Sequence, residues 1–242
     1  MKKYIPDCIT SMNLCCGVIG VVFAFKGRPD IAFLLMLAAS LADFLDGLAA
    51  RLLGAYSDLG KELDSLSDLV SFGVLPALML YNLSRTCMFG ESWVAWVPVV
   101  AVTLGSGLRL AKFNTDSRQS SGFLGLPTPA SAMICGSLAY YVHADPGSFL
   151  AMWSQGPVFL PVLAAFLSVL LVSEVPMFSF KFGGGNKASV RDNWKRGIFL
   201  AIAVASVVAV AASRANWSLA VLFSFIGYIL VNLAFAFPNR SE

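Results

Sequence analysis

Residues 43–68 read DFLDGLAARLLGAYSDLGKELDSLSD, and four of their five aspartates, Asp43, Asp46, Asp64 and Asp68, fall at helical spacings in a chain that is mostly apolar. Asp43 and Asp46 are related by i,i+3, and Asp64 and Asp68 by i,i+4, so each pair occupies one face of a helix. Carboxylates at membrane depth are costly unless positive charge neutralises them. Two such pairs that face each other form an all-oxygen site suited to hard divalent cations such as Mg²⁺ or Mn²⁺.

The rest of the chain has the composition of a membrane protein. Its 242 residues are 57% hydrophobic and 13% charged, whereas soluble domains carry about 25% charged residues. Most of its apolar segments approach the ~20 residues that span a bilayer. We therefore predict an all-α, polytopic integral membrane helix bundle of about eight transmembrane helices. The predicted segments are 6–26, 31–54, 62–83, 93–113, 127–144, 156–175, 196–213 and 216–237.

The basic residues predict the orientation of this bundle. With eight spans, 13 of the 17 Lys and Arg residues fall on the side that carries both termini. The positive-inside rule makes that side cytoplasmic, and the four aspartates then lie near the cytoplasmic ends of the second and third helices. The chain has no basic stripe with interleaved aromatic residues, which argues against nucleic-acid binding.

A polar stretch divides the chain unevenly. Residues 179–196 read SFKFGGGNKASVRDNWKR, and their glycines and basic residues predict a cytoplasmic loop. We therefore predict one membrane domain over residues 1–242. It consists of a six-helix catalytic core at 1–178, the loop at 179–196 and an accessory helix pair at 197–242.

The aspartates belong to a longer pattern, D-x2-D-G-x2-A-R-x8-G-x3-D-x3-D, that is complete between Asp43 and Asp68. This pattern resembles the signature of the CDP-alcohol phosphatidyltransferase family. The resemblance implies an integral membrane enzyme that displaces CMP from a CDP-linked lipid with an alcohol acceptor. It further implies two Mg²⁺ or Mn²⁺ ions, held by Asp43, Asp46, Asp64 and Asp68, with Asp68 nearest the acceptor as general base.

The same resemblance implies contacts with the CDP-lipid, although each of these residues also has a structural interpretation. Glycine and alanine in a membrane helix also serve close helix packing, an arginine at a helix exit also flanks a membrane span, and serine before a helix also caps it. Polar residues near the start of the first helix also cap it at the interface. The implied CDP-lipid contacts are Thr10, Ser11, Asn13, Gly47, Ala50, Arg51, Ser57 and Gly60.

Other stretches resemble the branch of that family that uses L-serine. They are residues 10–18, 107–116 with 123–132, and 174–181. A serine site must hold a carboxylate and an ammonium group and leave the hydroxyl accessible. Lys112 departs from the arginine expected in this branch, which keeps the charge but not the bidentate geometry. We therefore expect acceptor contacts, or else a positive-inside flank, from Arg109, Lys112 and Arg118, with a polar contact from Asn114.

We accordingly expect a transferase of phospholipid biosynthesis that moves a phosphatidyl group from CDP-diacylglycerol to L-serine and releases CMP. The alternatives are the same chemistry with glycerol 3-phosphate or an inositol derivative, and more remotely a cation-coupled transporter. The expected partners are CDP-diacylglycerol, L-serine, membrane lipids and a second copy of the chain in a homodimer. The compact chain favours a prokaryotic inner membrane.

Overall fold

A computed structural model describes residues 4–85, 93–116, 123–154, 156–178 and 190–236. The chain folds into helices joined by short connections, and only one pair of two-residue strands occurs within the described ranges. The elements are α1 (Ile5–Phe25), α2 (Pro29–Leu53), α3 (Asp58–Asp68), a π-helical segment (Leu69–Val74), α4 (Leu75–Arg85), a 3₁₀ turn (Trp93–Ala95), α5 (Trp96–Thr115), β1 (Phe123–Leu124), α6 (Thr128–Ala144), α7 (Phe149–Ser154), α8 (Phe159–Val172), β2 (Pro176–Met177), α9 (Val190–Ser213) and α10 (Ser218–Ala236).

Helices occupy all eight of the predicted apolar segments, but the count of eight spans is not confirmed. Six helical stretches of the described chain are long and apolar enough to cross a membrane. The fifth and sixth predicted spans are shorter, because α6 has 17 residues and α8 has 14. At 1.5 Å per residue these helices extend about 25 Å and 21 Å, against a hydrocarbon thickness of about 30 Å. Pro157 lies just before α8 and separates it from α7.

The connection between α2 and α3 is built from residues typical of helix ends. Gly54 ends α2 with a left-handed φ of 60°, which glycine adopts without steric cost. Ser57 then begins α3, and its hydroxyl accepts a hydrogen bond from the backbone N–H of Gly60 at 2.9 Å. This short turn places the carboxyl end of α2 beside the amino end of α3.

The centre of the bundle is formed by α6 and by the continuous rod of α3, the π-helical segment and α4. Phe72, Leu75 and Met79 of the rod are fully buried, as are most residues of the first three turns of α6. Helix α1 packs along α2 on one side and along the rod on the other. The rod therefore receives contacts from several helices, which fixes the orientation of its amino-terminal aspartates.

The last helix is joined to the rest of the bundle by buried hydrogen bonds. The hydroxyl of Tyr228 donates to the backbone oxygen of Phe178 at 2.9 Å, and the backbone N–H of Phe178 donates to Oδ1 of Asn232 at 3.0 Å. Helix α10 also packs against α6, which belongs to the predicted core. The division into a core and an accessory pair stays a prediction.

One boundary of that division was wrong. Helix α9 begins at Val190, so residues 190–196 are helical and not part of the predicted loop. The glycines and basic residues of this stretch predict a loop, but lysine and arginine are good helix formers.

Replacement of Asn232 by leucine should destabilise the bundle. The change keeps a similar volume but leaves the buried N–H of Phe178 without its acceptor, which costs about 1–3 kcal/mol. We expect a thermal unfolding midpoint several degrees lower in detergent. Ser224→Ala is the matched control, because the Ser224 hydroxyl donates only within its own helix. Equal midpoints for Asn232→Leu and Ser224→Ala would contradict this role of Asn232.

Candidate metal and lipid site

Three of the four predicted aspartates converge. Asp43 of α2 and Asp64 and Asp68 of α3 each present a carboxylate oxygen, and these oxygens lie within 4.8 Å of one another. Asp43 and Asp64 are half-buried, and Asp68 is only 8% exposed. The carboxylates of Asp43, Asp64 and Asp68 therefore face one another, whereas Asp46, the i,i+3 partner of Asp43, is not part of this group.

The chemistry of this cluster fits a divalent cation. All three groups offer hard oxygen donors, which Mg²⁺ and Mn²⁺ prefer over nitrogen or sulfur. Like charges at this separation repel each other strongly in a partly buried environment. A bound cation would remove that repulsion, so the residues present are those expected of an oxygen-coordinated metal site.

Asp46 lies close by but outside the group of three. Its side chain is buried, and one carboxylate oxygen accepts a hydrogen bond from the Thr10 hydroxyl at 2.6 Å. Carboxylates that bind metals are commonly held by such outer hydrogen bonds, so the contact is compatible with a ligand. The role of Asp46 as a metal ligand stays a prediction, and so does a direct lipid contact by Thr10.

Asp68 receives a hydrogen bond that the sequence did not predict. The side-chain amide of Asn13 donates to Oδ1 of Asp68 at 3.2 Å, and Asn13 is fully buried. The sequence marked Asn13 as an implied CDP-lipid contact or as a polar cap near the start of the first helix, and not as a partner of Asp68. The rotation of α1 about its axis, which sets this contact, is a result of tertiary packing.

The space beside Gly47 distinguishes the two interpretations of that glycine. A methyl group added at Gly47 would meet no heavy atom within 4 Å outside its own helix, so the described residues pack nothing against it. Ala50 is half-buried on the same helix, and the Nε of Arg51 donates to the backbone oxygen of Gly47 at 2.9 Å. This open face next to the aspartates is where the CDP-lipid was predicted to bind.

Other predicted lipid contacts have structural roles in the described chain. Ser57 caps α3, and a methyl group at Gly60 would lie 2.7 Å from Oδ1 of Asp7. Ser11 is exposed, and its hydroxyl donates to the backbone oxygen of Asp7 at 2.8 Å. A contact between the CDP-lipid and Ser11, Ser57 or Gly60 stays a prediction.

Among the predicted acceptor residues that the structure describes, Arg109 approaches the aspartates. It is 7% exposed, and its guanidinium group lies 5.2 Å from the centre of the Phe113 ring. One of its nitrogens donates to the Thr128 hydroxyl at 3.4 Å, and it is near enough to Asp43 and Asp68 to interact electrostatically. A basic residue that merely flanks a membrane span would be exposed instead.

Lys112 and Asn114 have other partners in the described chain. Lys112 forms an exposed ion pair with Glu174 at 3.3 Å, and the Asn114 amide donates to the hydroxyl of Ser65 at 2.8 Å. Arg118 lies outside the described residues. Binding of an acceptor by Lys112, Asn114 or Arg118 stays a prediction.

This arrangement agrees with the comparison to known proteins. The model of the CDP-alcohol phosphatidyltransferase family matches residues 3–178, and the chain belongs to this family. It is an integral membrane protein with an acidic cluster able to hold a metal ion.

Several relatives have more specific names. The chain is 37% identical over 183 residues to a CDP-diacylglycerol–serine O-phosphatidyltransferase of Mycobacterium leprae, with 72% of this chain and 58% of that protein covered. A Mycobacterium bovis protein of the same name is 34% identical, with 87% of this chain and 71% of that protein covered. A Bacillus subtilis protein of that name is 31% identical, with coverages of 74% and 92%.

Substitution at Gly47 separates the lipid-binding and packing interpretations. Because a methyl group there meets nothing, Gly47→Ala should fold normally, with helix stability higher by about 0.5–1 kcal/mol. We expect the KM for CDP-diacylglycerol to rise severalfold, since the open face would narrow.

Gly17→Ala is the matched control for this substitution, because its added methyl group would lie 3.1 Å from the Cα of Ser71. It should lower the thermal unfolding midpoint. An unchanged KM for Gly47→Ala would contradict lipid binding at this face.

Proposed function

We propose that this protein transfers the phosphatidyl group of CDP-diacylglycerol to the hydroxyl of L-serine and so forms phosphatidylserine and CMP. The observation that carries the proposal is the convergence of Asp43, Asp64 and Asp68 beside the open helix face at Gly47. A site for divalent cations next to space for a nucleotide is what the reaction requires. The names of the relatives from Mycobacterium and Bacillus support serine as the acceptor.

The four aspartates would hold the metal. We assign two Mg²⁺ or Mn²⁺ ions to Asp43, Asp46, Asp64 and Asp68. When bound, the ions neutralise charge on the pyrophosphate and on the departing CMP. The Thr10 hydroxyl keeps the carboxylate of Asp46 in a fixed orientation, and α1, which packs against both α2 and α3, holds the two helices that carry Asp43 and Asp64.

Asp68 acts as the general base. It takes the proton of the serine hydroxyl, and the serine oxygen forms a bond to the lipid-linked phosphorus. The bond from that phosphorus to the oxygen bridging to CMP breaks, and CMP leaves with the electron pair in an in-line displacement. This direct transfer needs no covalent enzyme intermediate.

The lipid and its nucleotide bind along the end of α2. The CDP group lies against the small side chains of Gly47 and Ala50, and Arg51 turns from its own helix to contact a phosphate through charge-assisted hydrogen bonds. The acyl tails remain in the bilayer. The further contacts that we assign to the CDP-lipid are Thr10, Ser11, Ser57 and Gly60.

Arg109 is the candidate for the serine carboxylate. Its guanidinium group is buried near Asp43 and Asp68, and a planar guanidinium binds a carboxylate through two parallel hydrogen bonds. A carboxylate bound there would bring the serine hydroxyl towards Asp68. Arg109 thus supports an acceptor that carries its own negative charge.

We also assign the site a place in the cell. The positive-inside rule puts both termini and the aspartates on the cytoplasmic side of an inner membrane, where CDP-lipid and soluble serine are both accessible. A homodimer is expected from the family resemblance.

The acceptor is tested by the release of CMP from CDP-diacylglycerol with Mn²⁺ or Mg²⁺ present. Purified protein is supplied with L-serine, glycerol 3-phosphate, inositol or no acceptor. We expect release that depends on serine and that a chelator stops. Release only with glycerol 3-phosphate or inositol would overturn the serine assignment but keep the class of reaction. No release with any acceptor, from folded protein that binds metal, would favour the cation-coupled transporter.

Amide substitutions test the two different roles of Asp68, the general base, and Asp43, a metal ligand. Asp68→Asn should lower kcat by at least a hundredfold and keep CDP-lipid binding, because it removes the base. Asp43→Asn should weaken metal and lipid binding together. Glu62→Gln is the control, since this exposed residue lies off the Asp64 and Asp68 face. An active Asp68→Asn variant would show that Asp68 is not the general base. Unchanged metal dependence in Asp43→Asn would show that Asp43 is not a metal ligand.

A further inference from the structure

We propose that Asn13 is a positioning residue for Asp68 and does not bind the CDP-lipid. This inference rests on the proposed function, in which Asp68 is the base. It replaces the role that family resemblance alone suggested for Asn13. The side-chain amide of Asn13 acts through Asp68 by fixing the rotation of its carboxylate.

The contact itself is direct and buried. Nδ2 of Asn13 donates to Oδ1 of Asp68 at 3.2 Å, although the two residues are 55 positions apart in the chain. Asn13 is 0% exposed, and Asp68 is 8% exposed. A fully buried side chain has little access to a lipid head group, whereas it is well placed to hold a neighbouring carboxylate.

The backbone of Asn13 is fixed to the same rod as Asp68. The Ser71 hydroxyl donates to the backbone oxygen of Asn13 at 3.1 Å, and the Ser67 hydroxyl lies 3.4 Å from the backbone oxygen of Thr10. One turn further along α1, a methyl group at Gly17 would lie 3.1 Å from the Cα of Ser71. The backbones of α1 and the rod therefore approach closely on both sides of Asn13, so its side chain has little freedom to move.

The helix geometry changes at this point as well. Helix α3, the first part of the rod, ends at Asp68, and the π-helical segment begins at Leu69. Such segments within α-helices occur frequently at functional sites. Ser71, which binds the backbone of Asn13, lies within this segment. Ser71 of the π-helical segment thus holds the backbone of Asn13. Asp68, the residue directly before this segment, accepts the hydrogen bond from the Asn13 side chain.

An amide suits this task better than a charged donor would. It donates a hydrogen bond to one oxygen of Asp68 and adds no charge, so it does not compete with a cation for the three carboxylates. Hydrogen bonds that orient metal-site carboxylates change activity by about 10- to 100-fold when they are removed. We therefore expect the loss of Asn13 to affect turnover much more than lipid binding.

The test compares Asn13→Leu and Asn13→Asp with the wild-type protein. Leucine has a similar size but cannot donate, and aspartate keeps the shape but places a further carboxylate against Asp68. Ser67→Ala is the matched control, because it removes a hydrogen bond between α1 and the rod without touching a carboxylate. Each variant is assayed for kcat, for the KM of CDP-diacylglycerol, for CDP binding by calorimetry and for its thermal unfolding midpoint.

The expected result is a fall in kcat of about 10- to 100-fold for Asn13→Leu and a larger fall for Asn13→Asp. The KM and the affinity for CDP should stay within about twofold, and Ser67→Ala should keep its kcat. A raised KM or weakened CDP binding with kcat retained would overturn the proposal in favour of a lipid contact. A wild-type kcat in Asn13→Asp would overturn it too, even if Asn13→Leu failed to fold.

A failure of the positioning role can be distinguished from a failure of the proposed serine transfer. All variants are compared with the wild-type protein and with whichever acceptor supports its CMP release. A change of acceptor therefore leaves the comparison intact. A kcat that does not depend on Asn13, in a wild-type enzyme that is active with serine, would contradict only the positioning role.

Discussion

The repulsion among Asp43, Asp64 and Asp68 is the constraint on which the rest of the site depends. Carboxylate oxygens within 4.8 Å of one another are unfavourable in a membrane helix bundle without a counter-charge. The fold nevertheless brings them together through the tight turn at Gly54 and the Ser57 cap. A cluster of this kind is able to hold a metal ion, and a bound ion would offset the repulsion.

Two surrounding helices supply polar partners to these aspartates and to the neighbouring Asp46. Helix α1 supplies Thr10 to Asp46 and Asn13 to Asp68, and α5 supplies the buried Arg109. The carboxylates are thus oriented on the protein side, while the face at Gly47 stays open. Oriented carboxylates on one side and open space at Gly47 on the other suit a site that binds a substrate between the metal and the bilayer.

The sequence predicted the apolar segments and the meeting of the aspartate faces, because hydrophobic length and the helical period act locally. It did not predict the contact of Asn13 with Asp68 or the burial of Arg109. Both depend on how each helix is rotated against its neighbours, and Arg109 has the same local sequence character as a membrane flank. The helical start of α9 was missed because charge indicates contact with water but does not indicate a loop.

Direct measurement of Mn²⁺ binding by electron paramagnetic resonance, on protein in lipid nanodiscs, tests the central claim. The wild-type protein should bind Mn²⁺ saturably, and Asp64→Asn should weaken that binding at least tenfold. Asp58→Asn, at an exposed position of the same helix, should leave it unchanged. Absence of bound Mn²⁺ in the wild-type protein, or equal binding by Asp64→Asn, would contradict a metal site at these carboxylates.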